Sequence, residues 1–261
     1  MALKLRRFLP PVCLRALRRR YYLRVVENYA ESDWEWSPFI KPIVPPGSQV
    51  LDIGANVGYL SGLFARWVGP TGRVTSIEPI PATYDALTFS MKQLYPDTVT
   101  TIQCCVSDAP GDVTMSVPSY AGGGENYYES RIVKASVATG SNLFTVQATT
   151  LDLLIPNLNL NPNLSLIKID VEGHELAVIR GGAGYLSRHL PPLLIEVAGN
   201  PDESETPASL LFTILKDWGY APHLIKNGVL KPRQAGDQSV DYLFKTIDLR
   251  PQTMEKRCAT S

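Results

Sequence analysis

The sequence predicts an α/β fold: a Rossmann-like, mostly parallel seven-stranded sheet with a C-terminal antiparallel hairpin strand and an N-terminal helical extension. Three observations predict it. From residue 48 onward, apolar runs of strand length alternate with stretches of helical spacing, as a parallel doubly wound sheet requires. The first strand runs straight into a glycine turn and a helix. The last elements carry an Asn-Gly hairpin signal, which a purely parallel sheet lacks. A length of 261 residues suits one such domain plus an extension.

The chain opens on a basic segment. Residues 1–24 hold Lys4, Arg6, Arg7, Arg15, Arg18, Arg19, Arg20 and Arg24 with no acid, a charge of +8 that leaves 17 basic against 25 acidic residues elsewhere. Over 12–30, Val12, Leu14, Leu17, Tyr21, Tyr22, Val25 and Val26 recur at helical spacing among the arginines. Two readings follow: a capping helix with a solvated basic face, or a peripheral contact with anionic lipid, which basic faces with aromatic anchors favour. Pro10, Pro11 and Arg15 interrupt the apolar stretch that a signal peptide needs, and no run of 18 apolar residues could span a bilayer. The expected location is the cytoplasm, with the helix able to touch the inner face of the membrane. Beyond residue 24 the acidic balance opposes nucleic acid.

Pro42, Pro45, Pro46 and Gly47 mark a linker, so 1–46 reads as extension, 47–250 as the main domain and 251–261 as a tail. Ser48 to Ile53 is the first strand, Gly58 to Trp67 a helix, and Arg73 to Ile77 the next strand after the Gly69-Pro70-Thr71-Gly72 turn. Thr83 to Leu94 is helical, followed by strand Thr100 to Val106, strand Leu164 to Asp170, a helix from His174 to about Arg188, and strand Leu193 to Val197. Between them, Val113 to Val117 and Leu143 to Ala148 flank a glycine-hinged loop, 118–142, read as a substrate-side lid or hairpin. Thr206 caps a helix that begins at Pro207 and stops at Gly219, and strands at 223–225 and 242–246 finish the fold. None of Cys13, Cys104, Cys105 and Cys258 has the C-x-x-C spacing of a zinc or redox site, so all four read as free thiols.

Two segments carry chemistry. Asp52-Ile53-Gly54-Ala55-Asn56-Val57-Gly58 places a glycine turn beyond a strand end, where ligands of open α/β sheets bind. Gly54 and Gly58 let the backbone bend close to a ligand, and the helix N-terminus offers N–H groups to an anion. Asn56 stands where a dinucleotide fingerprint wants its second glycine, which argues against a pyrophosphate. Glu78, 20 residues after Gly58, suits both ribose hydroxyls, and Ser107 and Asp108 follow the third strand, where adenine would face them. Asp170-Val171-Glu172-Gly173-His174-Glu175 ends a buried strand in acids and a histidine.

Together with Glu78-Pro79-Ile80-Pro81, Thr150-Leu151-Asp152 and Leu194-Ile195-Glu196, these segments resemble the FkbM-type methyltransferase family over roughly residues 48–246. The D-V-E-G-H-E stretch is the most specific part. The resemblance implies a class I methyltransferase fold and S-adenosyl-L-methionine as cofactor, held by Asp52, Gly54, Asn56, Gly58, Glu78, Ser107, Asp108 and Asp170. It also implies O-methylation of a hydroxyl on a sugar, glycan or natural product. Catalysis would fall to Asp170, Glu172 and His174, with His174 and Glu172 equal candidates for a base. No metal is expected. Tyr120, Glu125, Asn126 and Tyr127 are expected at the acceptor wall. Two alternatives stand beside this reading: a nicotinamide-dependent oxidoreductase, and a non-catalytic scaffold on the same fold.

Overall fold

The computed structural model describes residues 10–117, 131–132, 142–158, 160 and 163–246. Its main sheet contains β1 (Gln49–Ile53), β2 (Arg73–Ile77), β3 (Val99–Ile102), β8 (Leu166–Ile169), β9 (Leu193–Glu196), β10 (Tyr220–Lys226), β11 (Val229–Pro232) and β12 (Asp241–Thr246). The order is β11-β10-β12-β9-β8-β1-β2-β3, eight strands where seven were expected. The extra strand is β11, which the Asn227-Gly228 turn folds back onto β10 with Lys226 opposite Val229. The five strands β9, β8, β1, β2 and β3 run parallel, while β12 enters antiparallel to β9.

Both faces of the sheet are covered, and neighbouring residues on each strand divide between two cores as the pleat dictates. Leu51, Ile167, Ile195 and Tyr242 pack beneath helices α5 (Leu151–Asn157), α6 (Glu175–Gly181), α7 (Ala183–His189) and α8 (Pro207–Asp217). Val50, Leu166, Leu194 and Leu243 pack on the other face against Phe64 and Val68 of α3 (Tyr59–Val68), with Trp36, Ile40 and Val44 from the chain's start. Residues 36–44, which include the one-turn helix α2 (Ser37–Ile40), are therefore part of this core rather than a loose linker.

Two expected elements are broken. The strand expected over 100–106 splits, because β3 stays with β2 while β4 (Cys105–Val106) crosses to a second sheet. That sheet has the order β4-β7-β5-β6 and contains β5 (Gly111–Val117), β6 (Arg131–Ile132) and β7 (Asn142–Thr149). The adjacent cysteines part company as a strand's alternation requires, with Cys104 in the main core and Cys105 in a cluster around Met115 and Val117. The helix expected from His174 to Arg188 ends at Gly181 and restarts at Ala183. A Cβ on Gly181 would lie 1.9 Å from the Ser107 carbonyl oxygen, so the chain turns where only a bare backbone passes.

Helix α1 (Pro11–Asn28) packs along α4 (Pro81–Leu94). Val26 is fully buried beside Leu87 and Met91. Asp85 of α4 accepts hydrogen bonds from Nε of Arg15 and of Arg19, at 3.0 and 2.9 Å. Two of the arginines thus face protein, whereas Val12, Leu17 and Tyr21 stay exposed. No helix among the described residues is long and apolar enough to cross a membrane.

Burial opposes the Asp85 carboxylate, but the two guanidiniums outweigh it and hold the carboxyl down at about 2. A carboxyl with a depressed pKa stabilises above its unfolded value of about 4 and loses that effect as pH falls through the folded value. Asp85→Asn should therefore accelerate tryptic cleavage within α1 several-fold at neutral pH, with little change in the melting of the sheet. Unchanged cleavage would show that Val26 alone anchors the helix.

Candidate functional site

The carboxyl ends of β1, β2, β8 and β9 open into a cavity of about 340 Å³. One end is apolar and lined by Ile77, Ile80, Cys104, Cys105 and Val106. The glycine turn and Glu78 form its waist, and Asp170, Glu172, His174 and Glu196 surround the other end. Tyr29 and Trp34, from the segment after α1, complete the wall.

A buried lysine organises the waist. Lys168 sits mid-strand in β8 at 7% exposure, its Nζ 2.8 Å from Asp170 Oδ2, 3.2 Å from the Gly54 carbonyl and 3.7 Å from Asp52 Oδ1. Desolvation disfavours its charge, but the carboxylates of Asp170 and Asp52 outweigh that and raise its pKa. Asp52 is fully buried and also accepts the Ser61 hydroxyl at 2.6 Å, with Ser76 donating to Ser61 at 2.8 Å. Gly54 has φ +76°, and a Cβ there would lie 1.7 Å from the Asp170 carbonyl oxygen. The turn and the β8 end can thus meet only through glycine. Sequence reading passed over Lys168, although a lysine inside the apolar run Leu166–Ile169 was the available signal.

Glu78 is 6% exposed and already engaged. Its Oε2 accepts from the Asn56 amide at 2.9 Å, and Oε1 from the Ile80 amide at 3.0 Å and the Thr83 hydroxyl at 2.7 Å. Burial pushes its carboxyl up, and these donors pull it back. A carboxylate offers about four lone-pair sites, so Oε2 keeps one open for a ligand hydroxyl. The turn's amides are also spent internally. Those of Gly54 and Ala55 bond the Ile77 carbonyl, that of Asn56 bonds Glu78, and that of Gly58 bonds Ala55. An anion here is left the Val57 amide and the first turn of α3, whose Tyr59 and Leu60 line the cavity.

At the acidic end, oxygens of Asp170, Glu172 and Glu196 lie within 4.8 Å of one another. Asp241 of β12 stands opposite Glu196 in the strand register. Burial, then Asp170, Asp241 and Glu172, push the Glu196 carboxyl to about 7, while burial and Asp170 push Asp241 to about 6. Lys168 is the ammonium nearest this group, so the end suits a cationic ligand.

Asp52, Gly54, Asn56, Glu78, Asp170, Glu172 and His174 all line the cavity as the sequence suggested. Gly58, Ser107 and Asp108 are not among the lining residues. Gly58 instead caps α3 with φ +100° and packs toward Leu87 and Met91. Ser107 turns to His174, with Oγ 2.9 Å from Nε2, and Asp108 is exposed beyond it. Burial also lowers the His174 pKa. Cys104, Cys105 and Val106, just before them in the chain, line the cavity where β4 joins the second sheet. Tyr120, Glu125, Asn126 and Tyr127 lie outside the described residues.

Lys168→Met should cost about 3–5 kcal/mol in urea unfolding, because it strands two carboxylates without a counter-charge. Stability that matches wild type would show that the Lys168 ammonium gives this cluster no net stabilisation. The raised carboxyls give a second expectation. Between about pH 4 and 7 the native state holds more protons at Glu196 and Asp241 than the unfolded chain, so stability falls as pH rises through that window. The pair Glu196→Gln with Asp241→Asn should flatten that slope.

The family model described as methyltransferase FkbM domain matches residues 52–222. The hexuronic acid methyltransferase AglP of Haloferax volcanii is 28% identical over 130 residues, covering 50% of this chain and 48% of that protein. This chain thus matches about half of that relative's length. A protein-L-isoaspartate O-methyltransferase of Triticum aestivum is 48% identical over 42 residues, covering 16% of this chain and 18% of the other. Among solved structures, a methyltransferase FkbM from Methylobacillus flagellatus superposes with a TM-score of 0.48 at 19% identity, over 77% of this chain and 44% of that one. The matched region runs from Asp52 at the end of β1, through the glycine turn and the acidic end of the cavity, into β10. The chain belongs to the FkbM methyltransferase family.

Proposed function

We propose that the protein transfers the methyl group of S-adenosylmethionine to a hydroxyl of a sugar, glycan or natural-product acceptor. One observation carries this reading: a single cavity joins an apolar slot, a buried carboxylate with one open lone pair, and an anionic end. The slot between Ile77, Ile80 and Val106 suits a flat adenine. Glu78 Oε2 would take one ribose hydroxyl, and Asn56, whose amide holds that carboxylate, would fix its aim. The first turn of α3 would receive the donor's carboxylate. Asp170, held by Lys168, would receive its ammonium. The anionic end favours a sulfonium and opposes a pyrophosphate.

The bound donor supplies an electrophilic methyl carbon, and the protein's task is alignment and removal of a proton. Glu172 and His174 would face the acceptor, with Tyr29 and Trp34 as its aromatic wall. Tyr120, Glu125, Asn126 and Tyr127 are proposed as further acceptor contacts. A sugar acceptor is supported by the hexuronic acid methyltransferase named above. Transfer to a carboxylate would be a second reading, but crowded acids oppose a further anion.

Calorimetry with S-adenosylhomocysteine tests the donor site. Micromolar binding is expected in the wild type, with at least a tenfold loss in Glu78→Ala. Labelled methyl from S-adenosylmethionine should then appear on methyl hexosides as an alkali-stable ether. An alkali-labile label on a hexuronide would instead identify a carboxyl methyltransferase.

A further inference from the structure

The cavity's acids differ in how far the protein has already committed them. Asp52 accepts from Ser61 and faces Lys168, Glu78 holds three donors, and Asp170 is bonded by Lys168. Glu175 accepts the Gly173 amide at 2.8 Å. His174 is tied to Ser107. A base whose lone pairs are filled, or whose charge an ammonium neutralises, takes up a proton poorly.

Glu196 is different. It ends β9, is half-buried, lines the cavity, and accepts no side-chain hydrogen bond among the described residues. The groups facing it are Asp170 and Glu172 after β8, Lys168 within β8 and Asp241 on β12. Three of these four are acids, so taking up a proton relieves repulsion.

We propose that Glu196, rather than His174, is the catalytic base that receives the acceptor's hydroxyl proton. The proposal rests on hydroxyl methylation as read above. As the acceptor oxygen bonds to the methyl carbon, the carbon–sulfur bond breaks and its electron pair returns to sulfur. The hydroxyl proton passes to the Glu196 carboxylate and leaves later to water. The products are a methyl ether and a neutral thioether, so charge and atoms balance. The fold supports the role in a second way. Trp36 packs in the core with Leu194 of β9 and Leu243 of β12, and Trp34, two residues earlier, lines the cavity. One stretch of chain thus supplies the aromatic wall and packs on the strand that carries Glu196, which favours a fixed approach of a hydroxyl to the carboxylate.

The test uses the full-length protein. Carbon-13 NMR of protein labelled at the glutamate δ-carboxyl, with Glu196 assigned by its absence in Glu196→Gln, should show titration near pH 7. Methyl transfer to methyl α-D-glucopyranoside, with methyl α-D-glucuronide in parallel, should show kcat rising to a plateau with an apparent pKa near 7. Glu196→Gln should lower kcat about a hundredfold or more and remove that limb while S-adenosylhomocysteine affinity holds, and Glu196→Asp should restore part of it. Titration of Glu196 at an ordinary carboxylate pKa near 4, or wild-type kcat in Glu196→Gln, overturns the proposal. Loss of S-adenosylhomocysteine binding in the wild type, or no methylation of either glycoside, strikes at the functional reading instead, and the NMR titration still decides Glu196.

Discussion

The site depends on one buried cation. Lys168 lies in the middle of the sheet, a position that is costly for an ammonium unless carboxylates surround it. Asp52 and Asp170 do so from the ends of two neighbouring strands, and the Gly54 carbonyl accepts from the same nitrogen. The lysine therefore ties β1, β8 and the glycine turn to a single point. That point is close enough that the Gly54 and Asp170 backbones touch, which excludes any Cβ at position 54. The shape of the donor site thus follows from an electrostatic requirement as much as from the glycines.

The acids beyond that point are more numerous than one lysine can neutralise. Asp170 is claimed by the cation, which leaves Glu172, Glu196 and Asp241 crowding one another at the cavity's end. Such crowding destabilises the fold as carboxylates ionise, and it also makes the place receptive to positive charge and to a proton. A methyl donor carrying a sulfonium and an ammonium, with an acceptor that must lose a proton, answers both. The instability and the chemistry have one origin.

The start of the chain serves this cavity. Helix α1 is pinned to α4 by Val26 and by Asp85 with Arg15 and Arg19, and that docking brings Tyr29 and Trp34 to the cavity wall. Trp34 in turn packs on Phe64 and Trp67, and Trp67 donates to Glu31 at 2.9 Å. The basic segment therefore contributes structure to the site, while Val12, Leu17 and Tyr21 stay on its exposed face.

Local signals determined much of this in advance. The apolar runs at 49–53, 73–77 and 193–196, the Thr206-Pro207 cap and the Asn227-Gly228 turn each depend on neighbours within a few residues, so the sheet and its hairpin edge were legible in the sequence. So were the glycine turn and the acids after β8, whose spacing along the chain places them at strand ends. Contacts between distant segments were decided only by the tertiary structure. The pairing of β4 with β7 in a second sheet set Ser107 against His174, and the close passage of Gly181 by Ser107 broke the helix after His174. The carboxylates that surround Lys168 arrive on two different strands, and those that crowd Glu196 come from the loop after β8 and from β12, so they are brought together from segments well apart in the chain. Burial and charge depend on what the fold brings within a few ångströms, and a linear sequence does not carry those distances.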